Sequence, residues 1–148
     1  IEGKRAVVLG AGGTARALVY GLMRKGARVT ILNRTTDKAS RLAREFGASG
    51  HGPLDALSEL PHDILVNTTS VGLGSDESPV AASAISRRSV VMDAVYQPLR
   101  TQLLRDAHRR GARTVTGKWM LVYQAALQLQ AWADVEPPIE VMAAAFDA

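Results

Sequence analysis

The chain has 148 residues, a formal net charge of +4, 47% hydrophobic residues and no cysteine. This is the length of one domain with an ordinary core, too apolar to stay disordered, and it excludes disulfides, thiol chemistry and cysteine-held zinc. The 18 lysines and arginines are spread along the chain and aromatics make up only 5%, which argues against a nucleic-acid surface.

The first predicted strand covers about 4–9 and runs straight into Gly10-Ala11-Gly12-Gly13-Thr14-Ala15. A helix over about 13–25 follows, with Leu18, Leu22 and Met23 at helical spacing. Glycines where a strand turns into a helix propose dinucleotide binding. Gly10 permits the tight turn, Gly12 admits a pyrophosphate close to the backbone, and small Ala15 lets helix and strand pack closely. The free N–H groups and dipole of the helix start favour phosphate.

The second strand, about 28–32, ends in Asn33-Arg34-Thr35, where an NAD site would place a carboxylate for the ribose. A guanidinium there pairs with a 2′-phosphate instead, and Arg34 can also stack on adenine. Lys38, one helical turn later, adds a second cation. The cofactor read from these residues is NADP.

A second helix is expected over about 36–46, a short strand near 48–51 and a helical turn around 55–59. The next strand is 63–67, followed by a Gly/Ser/Pro-rich stretch over 72–79 expected to be a mobile loop and a helical turn over 81–85. Strand 89–93, helix 99–110 and strand 113–116 complete the alternation. A mostly apolar helix over 118–133 is expected to be buried on most sides, and Pro137-Pro138 starts a last helix to about Phe146. This order specifies an α/β fold of Rossmann type, a doubly wound parallel sheet with helices on both faces. Right-handed crossovers then bring every strand C-terminus to one edge, where ligands bind.

Three more segments end at that edge: Asn67-Thr68-Thr69-Ser70-Val71-Gly72, Asp93-Ala94-Val95-Tyr96-Gln97-Pro98 and Gly117-Lys118-Trp119-Met120-Leu121-Val122-Tyr123-Gln124. Together with GAGGTAR at Gly10–Arg16 and NRT at Asn33–Thr35, they give the chain a pattern that resembles the C-terminal NADP-binding domain of the shikimate dehydrogenase family. The NRT element is shared with glutamyl-tRNA reductases, whereas the D-x-V-Y-x-P and MLVYQ segments are much more specific. The resemblance implies a reversible, NADPH-dependent reduction of 3-dehydroshikimate to shikimate, on the route to chorismate and aromatic amino acids.

By the same resemblance, Gly12, Gly13 and Thr14 hold the pyrophosphate, and Asn33, Arg34, Thr35 and Lys38 the 2′-phosphate end. Thr68, Ser70, Val71, Gly117 and Met120 lie along the nicotinamide side, while Tyr96 and Gln124 reach the substrate. Met120 and Gln124 share a helix face, and an amide buried in an apolar helix would need partners. The family's catalytic lysine and aspartate belong to an N-terminal substrate domain that nothing in residues 1–148 matches. Residues 1–148 are thus read as the NADP-binding domain, partnered by that N-terminal domain and inactive alone.

The chain begins at Ile1 rather than Met, as a domain cut from a longer protein would. Relatives commonly carry an acidic residue and then Gly-Leu before Met-Leu, where this chain has Thr116, Gly117, Lys118 and Trp119. Lys118 is read as a solvated helix-start lysine, and quinate stays open beside shikimate as the substrate. His51, His62 and His108 lack metal-like spacing and are expected at the surface. No apolar stretch has membrane-spanning length and no signal-peptide pattern is present. Cytoplasmic placement, with neither nucleic acid nor membrane as partner, is the expectation, and a homodimer is one assembly left open. Alternatives are a quinate/shikimate dehydrogenase, a glutamyl-tRNA reductase-like domain and a non-catalytic NADPH-sensing domain.

Overall fold

A computed structural model describes residues 1–147. The strands are β1 (Arg5–Leu9), β2 (Arg28–Leu32), β3 (Gly50–Gly52), β4 (Ile64–Asn67), β5 (Val90–Asp93) and β6 (Arg113–Val115). The helices are α1 (Gly13–Arg24), α2 (Thr36–Phe46), α3 (Gln102–Arg109), α4 (Gly117–Ala133) and α5 (Ile139–Asp147). Short 3-10 segments at Leu54–Glu59 and Ala82–Ala84 stand where helical turns are expected. All pairings are parallel, in the order β3-β2-β1-β4-β5-β6. The strand order reverses between β1 and β4, and a doubly wound sheet holds its ligands beside such a reversal.

Alternation along β1 builds two cores at once, because successive side chains point to opposite faces. Ala6 and Val8 join Val29, Ile31 and the inward residues of α1 and α2, namely Ala15, Val19, Ala39 and Leu42. Val7 and Leu9 join Leu32, Leu65, Val91 and the inward residues of α3, namely Leu103, Leu104 and Ala107. A strand covered on both faces is apolar throughout, as the run Ala6–Leu9 is.

Three expectations need correction. Helix α3 starts at Gln102 rather than 99, because Thr101 caps it and accepts a hydrogen bond from Leu104 N. Helix α4 is not buried on most sides: Val122 and Ala126 are covered, but Trp119, Tyr123, Leu127 and Trp132 are exposed. Its main packing partner is α5, and one short helix covers only part of its apolar circumference. His62 is buried rather than at the surface. Its Nδ1 pairs with Leu60 O at 2.9 Å and its Nε2 accepts from Ser86 N at 3.2 Å, so it ties two loops at the N-terminal edge of the sheet. The stretch 72–79 is wound into turns and is tied to α3 by Arg105, which donates to Asp76 Oδ1 at 2.5 Å.

Candidate dinucleotide site

The turn between β1 and α1 is made by Gly10 at φ 111°. A β-carbon there would sit 2.5 Å from Thr68 Oγ1, so this position combines a left-handed backbone with a close neighbour. Thr68 is held in place, its hydroxyl donating to Leu9 O at 2.6 Å. Gly12 caps α1 without a side chain, and β-carbons on Gly12 or Gly13 would meet no atom within 4 Å. The first-turn N–H groups of α1 have no intrahelical acceptor, and the surface above them is open. Ala15 is fully buried against the sheet, as a third-position small residue should be.

Asn33 leaves β2 through its N–H to Gly52 O at 3.0 Å, and its Nδ2 donates to Thr35 O at 2.9 Å. That bond shapes the turn that delivers Arg34, Thr35 and Lys38 to the surface, all three exposed. Arg16 of α1 forms a two-pronged pair with Glu45 in the last turn of α2 and lies 5.5 Å over the Phe46 ring, clamping α1 to α2.

The β4–β5 end is built from buried polar groups. Asn67 Nδ2 donates to Asp93 Oδ1 at 2.9 Å and to Val71 O at 3.2 Å, while its Oδ1 accepts from Thr69 N and Thr69 Oγ1. Asp93 also accepts from Val95 N at 3.0 Å and from Thr101 Oγ1 at 2.6 Å. Burial pushes the Asp93 carboxyl above the ordinary carboxylate range, against the opposing pull of the bonds from Thr101, Val95 and Asn67. These residues hold the 68–71 and 94–98 loops at the strand edge.

Gly117 starts α4 where a β-carbon would lie 2.7 Å from both the Ala94 and Val95 carbonyl oxygens. Only glycine lets the helix start approach the loop after β5 so closely. Met120 and Gln124 then line a cavity of about 680 Å³ together with Gly13 and Thr14 of α1, above Met92 and Val115 of the sheet.

The cavity thus joins the glycine turn to the α4 face. It does not include Tyr96, which stands half-exposed beside Phe146, or the Arg34 cluster at the end of β2. Ser70 is exposed and Val71 half-buried on the loop after β4. Gln124 is exposed, which corrects the reading of a buried amide; its polar end is free to meet a ligand. Lys118 is not solvated: it is buried and donates to Asp147 Oδ2 at 2.5 Å. Sequence reasoning missed the Asn67–Asp93–Thr101 network, although a polar residue closing each of two apolar strands was a usable signal.

The sequence profile described as shikimate / quinate 5-dehydrogenase matches residues 1–94, and that of the shikimate 5'-dehydrogenase C-terminal domain matches residues 117–145. The shikimate dehydrogenase (NADP(+)) of Methanocella arvoryzae is 47% identical, over 96% of this chain and 55% of that protein. The Thermus thermophilus shikimate 5-dehydrogenase, solved with NADP(H) and shikimate, superposes with a TM-score of 0.90 at 38% identity, over 96% of this chain and 54% of that one. A quinate dehydrogenase from Corynebacterium glutamicum, solved with NAD, gives 0.89 at 25% identity, covering 97% of this chain and 54% of that one. The chain spans about half the length of the curated relatives it matches. With the glycine turn, the strand order and the α4 face all in one pattern, the chain belongs to the shikimate / quinate dehydrogenase family.

Proposed function

We propose that this chain is the NADP-binding half of a shikimate dehydrogenase, which interconverts 3-dehydroshikimate and shikimate. The observation that carries this reading is the single cavity joining Gly13 and Thr14 of the phosphate turn to Met120 and Gln124 of α4. The open first turn of α1 fits a pyrophosphate, and a guanidinium at the end of β2 fits a 2′-phosphate, where a carboxylate would repel it. When bound, NADPH supplies the hydride that reduces the ketone.

On this reading, Gly10 and Ala15 shape the turn, and the N–H groups of Gly13 and Thr14 hold the pyrophosphate. Asn33, Arg34, Thr35 and Lys38 bind the 2′-phosphate end. Thr68, Ser70 and Val71 flank the nicotinamide side, with Gly117 and Met120 opposite. Tyr96 and Gln124 hydrogen-bond the substrate. Protonation of the ketone oxygen needs an acid within hydrogen-bond reach, and we assign that group to an N-terminal substrate domain outside residues 1–148. The exposed apolar residues of α4, among them Leu127 and Trp132, fit a surface that such a domain covers. No helix among the described residues is long and apolar enough to cross a membrane; we place the longer protein in the cytoplasm on its family's biosynthetic role, with a homodimer as the assembly to test. Quinate is the second reading, kept by the departure from the family pattern at Lys118 and Trp119 and by the superposition on a quinate dehydrogenase.

The test is fluorescence titration of the chain with both cofactors, followed by a spectrophotometric assay of the full-length polypeptide. NADP(H) should bind at least ~10-fold more tightly than NAD(H), and Arg34→Asp should reverse the order. The full-length polypeptide should oxidise shikimate, whereas residues 1–148 alone should bind cofactor without turnover. Equal affinities for the two cofactors would remove the basis for the NADP assignment. A quinate kcat/KM above that for shikimate would select the second reading.

A further inference from the structure

Lys118 lies in the first turn of α4, and its side chain is only 11% exposed. A lysine so placed has lost most of its hydration and needs a counter-charge. Its partner comes from the last turn of α5, where Asp147 Oδ2 accepts at 2.5 Å. The same ammonium lies 5.4 Å from the Trp119 ring centre and 6.0 Å from that of Phe146, within reach of a cation–π attraction. Phe146 in turn meets Tyr96 edge-on, with centroids 6.3 Å apart and planes at 76°. Tyr96 follows Ala94 and Val95, whose carbonyls press on Gly117, the residue before Lys118. The contacts therefore close a circuit, from α4 to α5, from α5 to the loop after β5, and from that loop back to α4.

We propose that Lys118, Phe146 and Asp147 form a latch that fixes the end of α5 over the Tyr96 loop and the first turn of α4. They are positioning residues for the substrate-side wall. This rests on the proposed function, which places Tyr96, Met120 and Gln124 at substrate and nicotinamide. The latch explains a buried cation next to Trp119 and Met120 of the cavity wall: its charge is spent on Asp147 rather than held out to a ligand. It also carries a definite sign. Removing Asp147 leaves a buried ammonium unpaired, which is the costly change, whereas removing both charges leaves an apolar contact.

The test uses the full-length polypeptide with Asp147→Asn, Lys118→Met and the double variant. Asp147→Asn should raise KM for shikimate about fivefold, with KM for NADP+ changed by less than about twofold. The double variant should bind shikimate better than Asp147→Asn alone, the non-additivity expected of a coupled pair. Proton contacts between selectively labelled Tyr96 and Phe146 rings, read by NMR without substrate, should be present in the unmodified protein and lost in Asp147→Asn.

A Lys118→Met variant that loses shikimate while Asp147→Asn retains it would make Lys118 a direct ligand and overturn the latch. Equal rises in both KM values, strictly additive variants or absent ring contacts in the unmodified protein would also overturn it. If the unmodified protein fails to oxidise shikimate, the proposed function falls, yet the ring contacts still decide the latch. Should Asp147→Asn fail to fold, Lys118→Met carries the ring-contact measurement, with the contacts expected to weaken.

Discussion

At the β1–β2 end of the strand edge, Gly13, Thr14, Arg34 and Lys38 face solvent, whereas at the β4–β5 end Asn67, Asp93 and Thr101 are fully buried. The first end presents backbone N–H groups and long, free cations. The second presents side chains already satisfied by each other, which hold loops rather than reach outward. A phosphate needs charge and donors, and flexible ones suffice. Orienting a ketone against a nicotinamide needs a wall held to within a fraction of an ångström. On the proposed function, the β4–β5 end, set beside the substrate, is therefore where stability and binding should fail together, and the β1–β2 end, set at the phosphates, is where they should separate.

The most damaging change expected is Gly117→Ala. Its β-carbon would lie 2.7 Å from two carbonyl oxygens, neither of them on a flexible side chain. Moving α4 to relieve this should cost about 3 kcal/mol, with loss of substrate turnover in the full-length protein. Urea unfolding measures the first and an NADPH assay the second. A variant of normal stability and activity would break the comparison.

Asp93→Ala comes next. It strands the donors of Asn67 and Val95 and the Thr101 hydroxyl, for an expected loss of about 2–3 kcal/mol. Asp93→Asn sharpens this through pH. The folded carboxyl is raised by burial, so its contribution is full below the unfolded value near ~3.9 and declines as pH rises through the folded one. The stability gap between wild type and Asp93→Asn should therefore be wider at low pH than at neutral pH. A gap that widens on going to neutral pH would reverse the assignment of burial as the dominant cause.

Arg34→Ala should leave stability within about 0.5 kcal/mol while weakening NADP(H) by about tenfold or more. Thermal melts with and without cofactor separate the two quantities. A melting point that falls without cofactor would show that the phosphate end is structural after all.

The smallest effect expected is at Asp63, which accepts from the Arg5 side chain at 3.0 and 3.1 Å and from Arg5 N at 3.0 Å. The side-chain and backbone bonds from Arg5 hold this carboxyl well below the usual range. Its contribution is present above the unfolded value near ~3.9 and fades as pH falls toward the folded one. Urea unfolding across pH should show Asp63→Asn slightly less stable at neutral pH and equal to wild type at low pH, which flattens the acid limb; the loss is small because the pair is exposed to solvent.

Legibility in the sequence follows the range of the interaction. The glycine turn is local: Gly10 owes its φ to the next few residues, and its strand-to-helix context can be read in a line of text. The two-faced burial of Ala6–Leu9 is also local, being a run of apolar residues at strand length. The Arg34 cluster is legible because its place at the end of β2 is set by the same pattern. Contacts across many residues are another matter. Lys118 looks solvated until α5 folds back to bring Asp147 to it, and Asp93 looks like a strand terminus until Thr101 caps α3 against it. The exposed face of α4 was misread for the same reason. Apolarity says that a surface is to be covered, but not whether this chain does the covering. His62 was misjudged because both its partners, Leu60 O and Ser86 N, are backbone atoms, which no side-chain pattern announces.

Both outer strands of the sheet are three residues long, β3 with glycines at each end and β6 beginning with Arg113. The open edge of a sheet is a row of unpaired N–H and C=O groups, and a long, flat one recruits further strands from other molecules. These edges offer a neighbour little to zip onto: one is weakened by glycines, the other starts on a charge. At the crowded concentrations of expression or concentration for NMR, copies should resist stacking edge to edge into aggregates. Any pairing between copies is then left to surfaces other than the strand edges.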